Sequence, residues 1–168
     1  DINDNFENVI WHAESSIFRS APTPLFLLSN LVHNDGVKVV LTGEGADEIL
    51  FGYDTYKELK IRLFWLRNHK SEWRPLLLKR LFPQYNQFRP EFFDMQKAFY
   101  QQSLNDPSGE LFSHQVRINN NQGVFRFLHP DKKRLVDRGS IKNDLTKTLP
   151  ANFNDRSHLE KCQYLELK

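Results

Sequence analysis

The chain has one cysteine, Cys162, one methionine, Met95, and only seven glycines among its 168 residues. A lone cysteine excludes an internal disulfide and suits a reducing compartment, so the expected location is the cytoplasm. Cys162 shares a helical stripe with Leu159 and Leu165, which marks it as a core thiol rather than a nucleophile. The six histidines are scattered with no His-x-x-x-His pair, which gives a zinc site little support. No apolar run approaches the ~20 residues that span a bilayer, so no membrane partner is expected. A net charge of +2 is too slight a bias to imply nucleic acid or an anionic surface. The first residue is Asp1 rather than Met, and no charged leader with an apolar stretch precedes the body. A partial chain is therefore expected.

What is present argues for a packed core. Apolar residues make up 39% of the chain and phenylalanine alone supplies 14 positions, which a disordered segment would not carry. Thr23 reads as the cap of a helix starting at Pro24, with Leu25, Leu28, Leu31 and Val32 on one face and Gly36 as the stop. Val37 to Leu41 then read as a buried parallel strand. After Tyr53 the spacing turns helical: Tyr56, Leu59, Leu63 and Leu66 share a face. Ser71 is expected to cap a shorter helix through Leu81, and Glu91 to Leu104 to form one carrying Phe92, Met95 and Phe99. Asp106-Pro107-Ser108-Gly109 reads as a turn, 111–118 as a short helix, and Asn119 to Gly123 as a loop. A last helix is expected from a cap at Asn154 or Asp155, running to the end of the chain at Lys168.

The most informative stretch follows the strand. Thr42-Gly43-Glu44-Gly45-Ala46-Asp47-Glu48 sets two glycines among three carboxylates. Ligands of open parallel sheets bind at the carboxyl ends of the strands, where this loop would lie. Glycines let a phosphate or adenylate approach backbone amides, and carboxylates beside a phosphate imply a hard divalent cation such as Mg2+ between them. A plainer reading makes the loop a strand-to-helix turn, with Asp47 and Glu48 complementing the positive end of the next helix.

With Gly52-Tyr53 downstream, this string closely resembles the Ser-Gly-Glu-Gly-Ala-Asp-Glu-Leu-Phe-Gly-Gly-Tyr signature of glutamine-hydrolysing asparagine synthetases. Ser16-Ile17-Phe18-Arg19-Ser20-Ala21 is similar to a second family segment, in which a hydroxyl residue three before an arginine faces the nucleotide and acyl intermediate. The resemblance implies an α/β fold, an adenine-nucleotide-binding, Rossmann-like parallel sheet of the ATP pyrophosphatase type, of which residues 1–168 would be a mostly helical central part. It implies a ligase that adenylates aspartate with ATP and displaces AMP with ammonia from glutamine. By the same resemblance Thr42, Gly43 and Gly45 would touch ATP, Glu44 would act as base, Arg19 would balance charge in the intermediate, and Asp47 would hold Mg2+. Ser16 and Glu48 join the candidates.

Departures accompany the match. The family's Ser-Gly-Gly-x-Asp-Ser loop and its glutaminase cysteine are not among these residues, and Phe51 stands where a glycine is common. The expected partners are therefore the remainder of a parent synthetase and its glutaminase domain, while a homodimer stays open. A related ligase of the β-lactam synthetase type, or a non-catalytic interaction module, would also carry such a loop. The interleaved aromatics and basic residues around Trp65, Trp73, Phe82, Phe88 and Arg89 read as helix packing rather than as a nucleic-acid surface. His12 and Glu14 read equally well as pocket-lining or as surface residues.

Overall fold

The computed structural model describes residues 2–17, 19–88, 91–135 and 140–168, and they fall into two compact units, residues 1–43 and 44–168. Phe18 and Arg89 lie outside the described residues.

The first unit pairs α1 (Ile2–Ala13) with α2 (Pro22–Asn34). His12 of α1 meets Phe26 of α2 with ring centroids 5.0 Å apart. α2 begins two residues earlier than the Thr23 cap predicts, because two prolines, Pro22 and Pro24, fit its first turn. Thr23 is thereby carried inside the helix, fully buried, and its hydroxyl has no partner. The stop at Gly36 is as expected. Gly36 adopts φ 74°, its N–H donates to His33 O and the Val37 N–H to Val32 O, the bond pair of a Schellman motif.

The expected buried strand does not form. Residues 37–43 are irregular and join no β-ladder, and no strand occurs among the described residues. Val39 is 79% and Leu41 96% exposed. A parallel strand is stabilised by neighbours on both edges and by covered faces, and β-branched composition cannot substitute for those contacts. The apolar stripe of α2 is equally uncovered, with Leu25, Leu28 and Leu31 exposed.

The regular elements of the second unit are helices, joined by turns and irregular segments, among its described residues. α3 (Ala46–Leu50) leads into α4 (Asp54–Leu66), then a 3₁₀ helix (Arg74–Arg80), α5 (Pro83–Phe88) and α6 (Glu91–Gln101). A second 3₁₀ turn (Gln102–Asn105), α7 (Gln115–Asn121), a third 3₁₀ helix (Gln122–Phe127), α8 (Pro130–Leu135), α9 (Ser140–Lys147) and α10 (His158–Glu166) complete it. α4 is the central element. Trp65 and the Leu66 side pack with Leu78, Leu81, Tyr100, Leu104 and Val116, while Tyr56 and Leu59 pack with Phe112 and Cys162. Each such side chain contributes about 1.5–3 kcal/mol on full burial.

Several predicted details shift. The N-cap of the Arg74–Arg80 helix is Trp73 rather than Ser71, although Ser71 Oγ accepts from the Arg74 N–H at 3.2 Å and so satisfies one donor of the first turn. Asn119 to Gly123, expected as a loop, is helical across α7 and the following 3₁₀ helix, because Val116 anchors α7 in the core and packing overrides weak propensity. Met95 is 69% exposed; α6 instead buries Gln96 and Tyr100. Trp73 is exposed as well, with Arg74 stacked over its ring. The cap of α10 is Ser157, not Asn154 or Asp155: its Oγ accepts from the Glu160 N–H and the Glu160 carboxylate accepts from the Ser157 N–H. α10 ends at Glu166.

Charge is also buried. Arg62 is fully enclosed in α4, donates to the carbonyls of Phe112 (2.7 Å) and Ser113 (3.1 Å), and stacks 4.0 Å from the Phe112 ring centre. Burial pushes its guanidinium down to about 10, still cationic at neutral pH. Beside it, Glu58 receives a two-pronged pair from Arg117 at 2.9 and 3.1 Å. These bonds tie the segment 112–117 to α4.

Candidate functional site

Residues 44–48 of the acidic loop open the second unit. Gly45 takes φ 85° and ψ −7°, left-handed angles that an L side chain adopts only with strain, and its carbonyl accepts the Ile49 N–H at 3.2 Å to open α3. Asp47 and Glu48 thus sit in the first turn of a short helix, where the positive end of the backbone favours carboxylates. Glu44 and Asp47 are exposed, whereas Glu48 is partly buried.

Glu48 holds this turn in place. Its Oε1 accepts from Tyr53 Oη at 2.7 Å, and its main-chain carbonyl accepts from Tyr56 Oη at 3.0 Å. Gln163 of α10 reaches the same carbonyl at 3.3 Å and that of Ile49 at 2.9 Å. The hydrogen bond to Glu48, then burial and the nearby carboxylates, push the Tyr53 phenol up to about 12. Burial, followed by neighbouring anionic groups, does the same to Tyr56. The remaining Glu48 oxygen, Oε2, is buried and has no hydrogen-bond partner.

Asp47 is shaped by a glycine. A Cβ on Gly52 would collide with the Asp47 carboxylate, lying 2.8 Å from its Cγ, while the Gly52 N–H donates to Asp47 O at 2.9 Å. Phe51, where the resemblance leads one to expect glycine, does take a left-handed conformation (φ 61°, ψ 39°) and sets its ring edge-on to Tyr56, centroids 5.0 Å apart. Asp47 and the free Glu48 oxygen offer only oxygen donors, the hard ligand type that Mg2+ takes.

The other candidates belong to the first unit. Ser16 and Arg19 are exposed on the connection from α1 to α2, and Thr42 and Gly43 end the irregular segment after α2. Thr42 lines a largely apolar cavity of about 520 Å³ with Leu25, Leu28, Val32, Val37 and Val40. A Cβ on Gly43 would meet nothing within 4 Å, so packing does not require glycine there. His12 caps its own helix, its Nδ1 2.7 Å from Asn8 O.

Sequence reasoning missed the supports: the Tyr53 and Tyr56 hydroxyls, Gln163, and the need for Gly52. Only Gly52 and Tyr53 carried a signal, as the end of the loop string; Gln163 is 115 residues from Glu48 and could not be found by spacing.

Among the described residues no helix is long and apolar enough to cross a membrane. The model of one family, asparagine synthase, matches residues 1–168. A stretch of 52 residues is 50% identical to glutamine-hydrolyzing asparagine synthetase 1 of Arabidopsis thaliana and 48% identical to glutamine-hydrolyzing asparagine synthetase 1 of Saccharomyces cerevisiae, in each case 30% of this chain and 9% of the relative. Another match of 52 residues is 40% identical to the amidase chyE of Penicillium rubens, covering 31% of this chain and 8% of that protein. These stretches span less than a tenth of the curated relatives' length. No solved structure matches the chain. A family match that runs from the first residue to the last, over a loop whose glycine and carboxylates stand as described, makes this chain a member of the asparagine synthase family.

Proposed function

We propose that the chain is part of an ATP-dependent amidoligase that converts aspartate to asparagine. The aspartate side-chain carboxylate attacks the α-phosphorus of ATP, pyrophosphate leaves, and ammonia derived from glutamine attacks the acyl carbon of aspartyl-AMP to expel AMP. The observation that carries this reading is the Thr42 to Glu48 loop, with Gly45 in the left-handed conformation that opens α3 and Glu44 and Asp47 facing solvent.

Within it, Thr42, Gly43 and Gly45 bind ATP, and Glu44 takes a proton from the attacking ammonia, for which it must come within hydrogen-bond reach of the amine. Arg19 offsets negative charge in the adenylate, and Ser16 lies on the same connection. Asp47 is the residue that would hold Mg2+, which supplies charge neutralisation on the departing pyrophosphate. Glu48 has a supporting role, because one oxygen is engaged by Tyr53. Residues 37–41 are read as a strand that finds its neighbours in the rest of the synthetase domain.

In a second reading the same adenylation serves another carboxylate, as in β-lactam-forming ligases, because the Thr42 to Glu48 loop by itself does not choose the acyl substrate. Residues 1–168 alone, which contain no Ser-Gly-Gly-x-Asp-Ser loop, should form no asparagine. The test is to supply the complete synthetase with ATP, ammonia and a panel of carboxylates and to measure pyrophosphate release. Release stimulated by aspartate supports the reading, whereas release only with another acid would replace the substrate.

A further inference from the structure

α10 and the start of α7 bring together three side chains that the synthetase reading leaves unused. Cys162 and Glu166 lie one turn apart on α10 and so share a face of it. His114 immediately precedes α7, and its Nε2 lies 3.2 Å from Glu166 Oε1. One ligand atom from each residue, a sulfur, a nitrogen and an oxygen, lies within 4.8 Å of the other two. Bonds of about 2.0–2.3 Å in a tetrahedron separate ligand atoms by roughly 3.3–3.8 Å, so the His114–Glu166 edge is nearly that of a bound ion, and the remaining edges close by at most about 1.5 Å.

The surroundings fit as well. Ser113 Oγ stands 2.8 Å from His114 Nδ1 and also hydrogen-bonds the Cys162 thiol. Once Nε2 gives its lone pair to an ion, Nδ1–H donates to this hydroxyl, the outer-sphere contact that orients a ligating histidine. Cys162 is fully buried, while the His114 and Glu166 side chains are 19% and 18% exposed. Solvent therefore reaches the His114 and Glu166 side chains but not Cys162. Ser113 is itself too buried to serve as the nucleophile of a Ser–His–Glu array.

We propose that His114, Cys162 and Glu166 form a zinc site, with water as the fourth ligand, that fastens α10 to the start of α7. A thiolate, an imidazole and one carboxylate suit zinc, whereas Mg2+ and Ca2+ take oxygen alone. Binding releases the thiol proton to solvent and replaces the His114–Glu166 contact with two metal bonds. Gln163 lies between the two α10 ligands and holds the carbonyls of Glu48 and Ile49, so the ion also stiffens the support beneath the acidic loop. The site does not depend on the synthetase reading.

The probes are cobalt and zinc themselves, added to chelator-stripped protein that carries the complete chain. One equivalent of Co2+ should bind with a thiolate-to-cobalt charge-transfer band, and Zn2+ should displace it. Cys162→Ser should abolish the band, and His114→Gln should weaken binding at least about tenfold, with Ser113→Ala near the low end of a 10–100-fold loss. X-ray absorption on the zinc form of the unaltered chain should show one sulfur at about 2.3 Å among nitrogen and oxygen ligands at about 2.0 Å. That spectrum needs no variant, so it decides the matter even where a substitution prevents folding. Absence of the charge-transfer band, a shell with no sulfur or with several, or unchanged binding in His114→Gln overturns the site.

Discussion

Tyr53 Oη donates to Glu48 Oε1 over 2.7 Å, closing the turn between α3 and α4 and holding one oxygen of an acidic pair at the start of α3. Because the bonded carboxylate disfavours the phenolate, Tyr53 is pushed up to about 12 from its ordinary value of 10.0. A tyrosine raised in the folded state stabilises that state fully below pH 10 and loses the contribution as pH rises through about 12. Glu48→Gln should bring the phenol back towards 10, read as tyrosinate absorbance in an alkaline titration with Tyr53→Phe as the blank. An unchanged titration would remove Glu48 as the cause.

Phe51 sets two effects of similar size against each other. A left-handed conformation costs an L residue roughly 1–2 kcal/mol, and an edge-to-face ring pair returns about 0.5–1.5 kcal/mol. Phe51→Gly should therefore stay within about 1 kcal/mol of the parent chain. Phe51→Val keeps the strain, adds branching at Cβ and loses the ring contact with Tyr56, so it should unfold at clearly lower urea. Equal midpoints for the two variants would show that the conformation at residue 51 carries no strain.

The Glu58–Arg117 pair is lopsided: the Glu58 side chain is 4% exposed and that of Arg117 42%. Removing Arg117 leaves a carboxylate in the core, with the Arg62 guanidinium and the Tyr100 hydroxyl beside it. Arg117→Ala should cost about 2 kcal/mol, less than the 3–5 typical of a fully buried pair because water reaches the arginine. Glu58→Ala with Arg117→Ala should cost less than the sum of the single changes by about 1 kcal/mol or more. Additive losses in denaturant titrations would make the two residues independent.

In the complete synthetase, Asp47→Asn should fold normally yet lose most pyrophosphate release, since the amide keeps the size and removes the charge proposed to hold Mg2+. Gly52→Ala should give a milder form of the same defect, because the new methyl displaces the Asp47 carboxylate. Glu44→Gln should spare adenylation more than amide formation. Pyrophosphate and asparagine measured side by side, with ammonia supplied directly, separate these outcomes. Wild-type rates in Asp47→Asn would end the metal role, and equal loss of both steps in Glu44→Gln would make that residue part of substrate binding.

Local rules alone determined much of this protein. The Leu59 face of α4, the stop at Gly36, the turn at Asp106 and the left-handed glycine of the acidic loop all follow from spacing and backbone preference within a few residues. The motif string pointed to the family for the same reason, since its chemistry is contiguous. Tertiary structure decided the rest, because burial depends on what lies opposite. Val37 to Leu41 have strand composition but no neighbouring strand among the described residues, so they stay exposed; Asn119 to Gly123 have loop composition but a buried valine at residue 116 to anchor the helix. Arg62 belongs to a residue type that is mostly exposed, yet it is enclosed and held by carbonyls some fifty residues away. No histidine or cysteine pair is adjacent in sequence, yet packing α10 against the segment that leads into α7 sets His114, Cys162 and Glu166 around one point, a juxtaposition that exists only once the chain has folded.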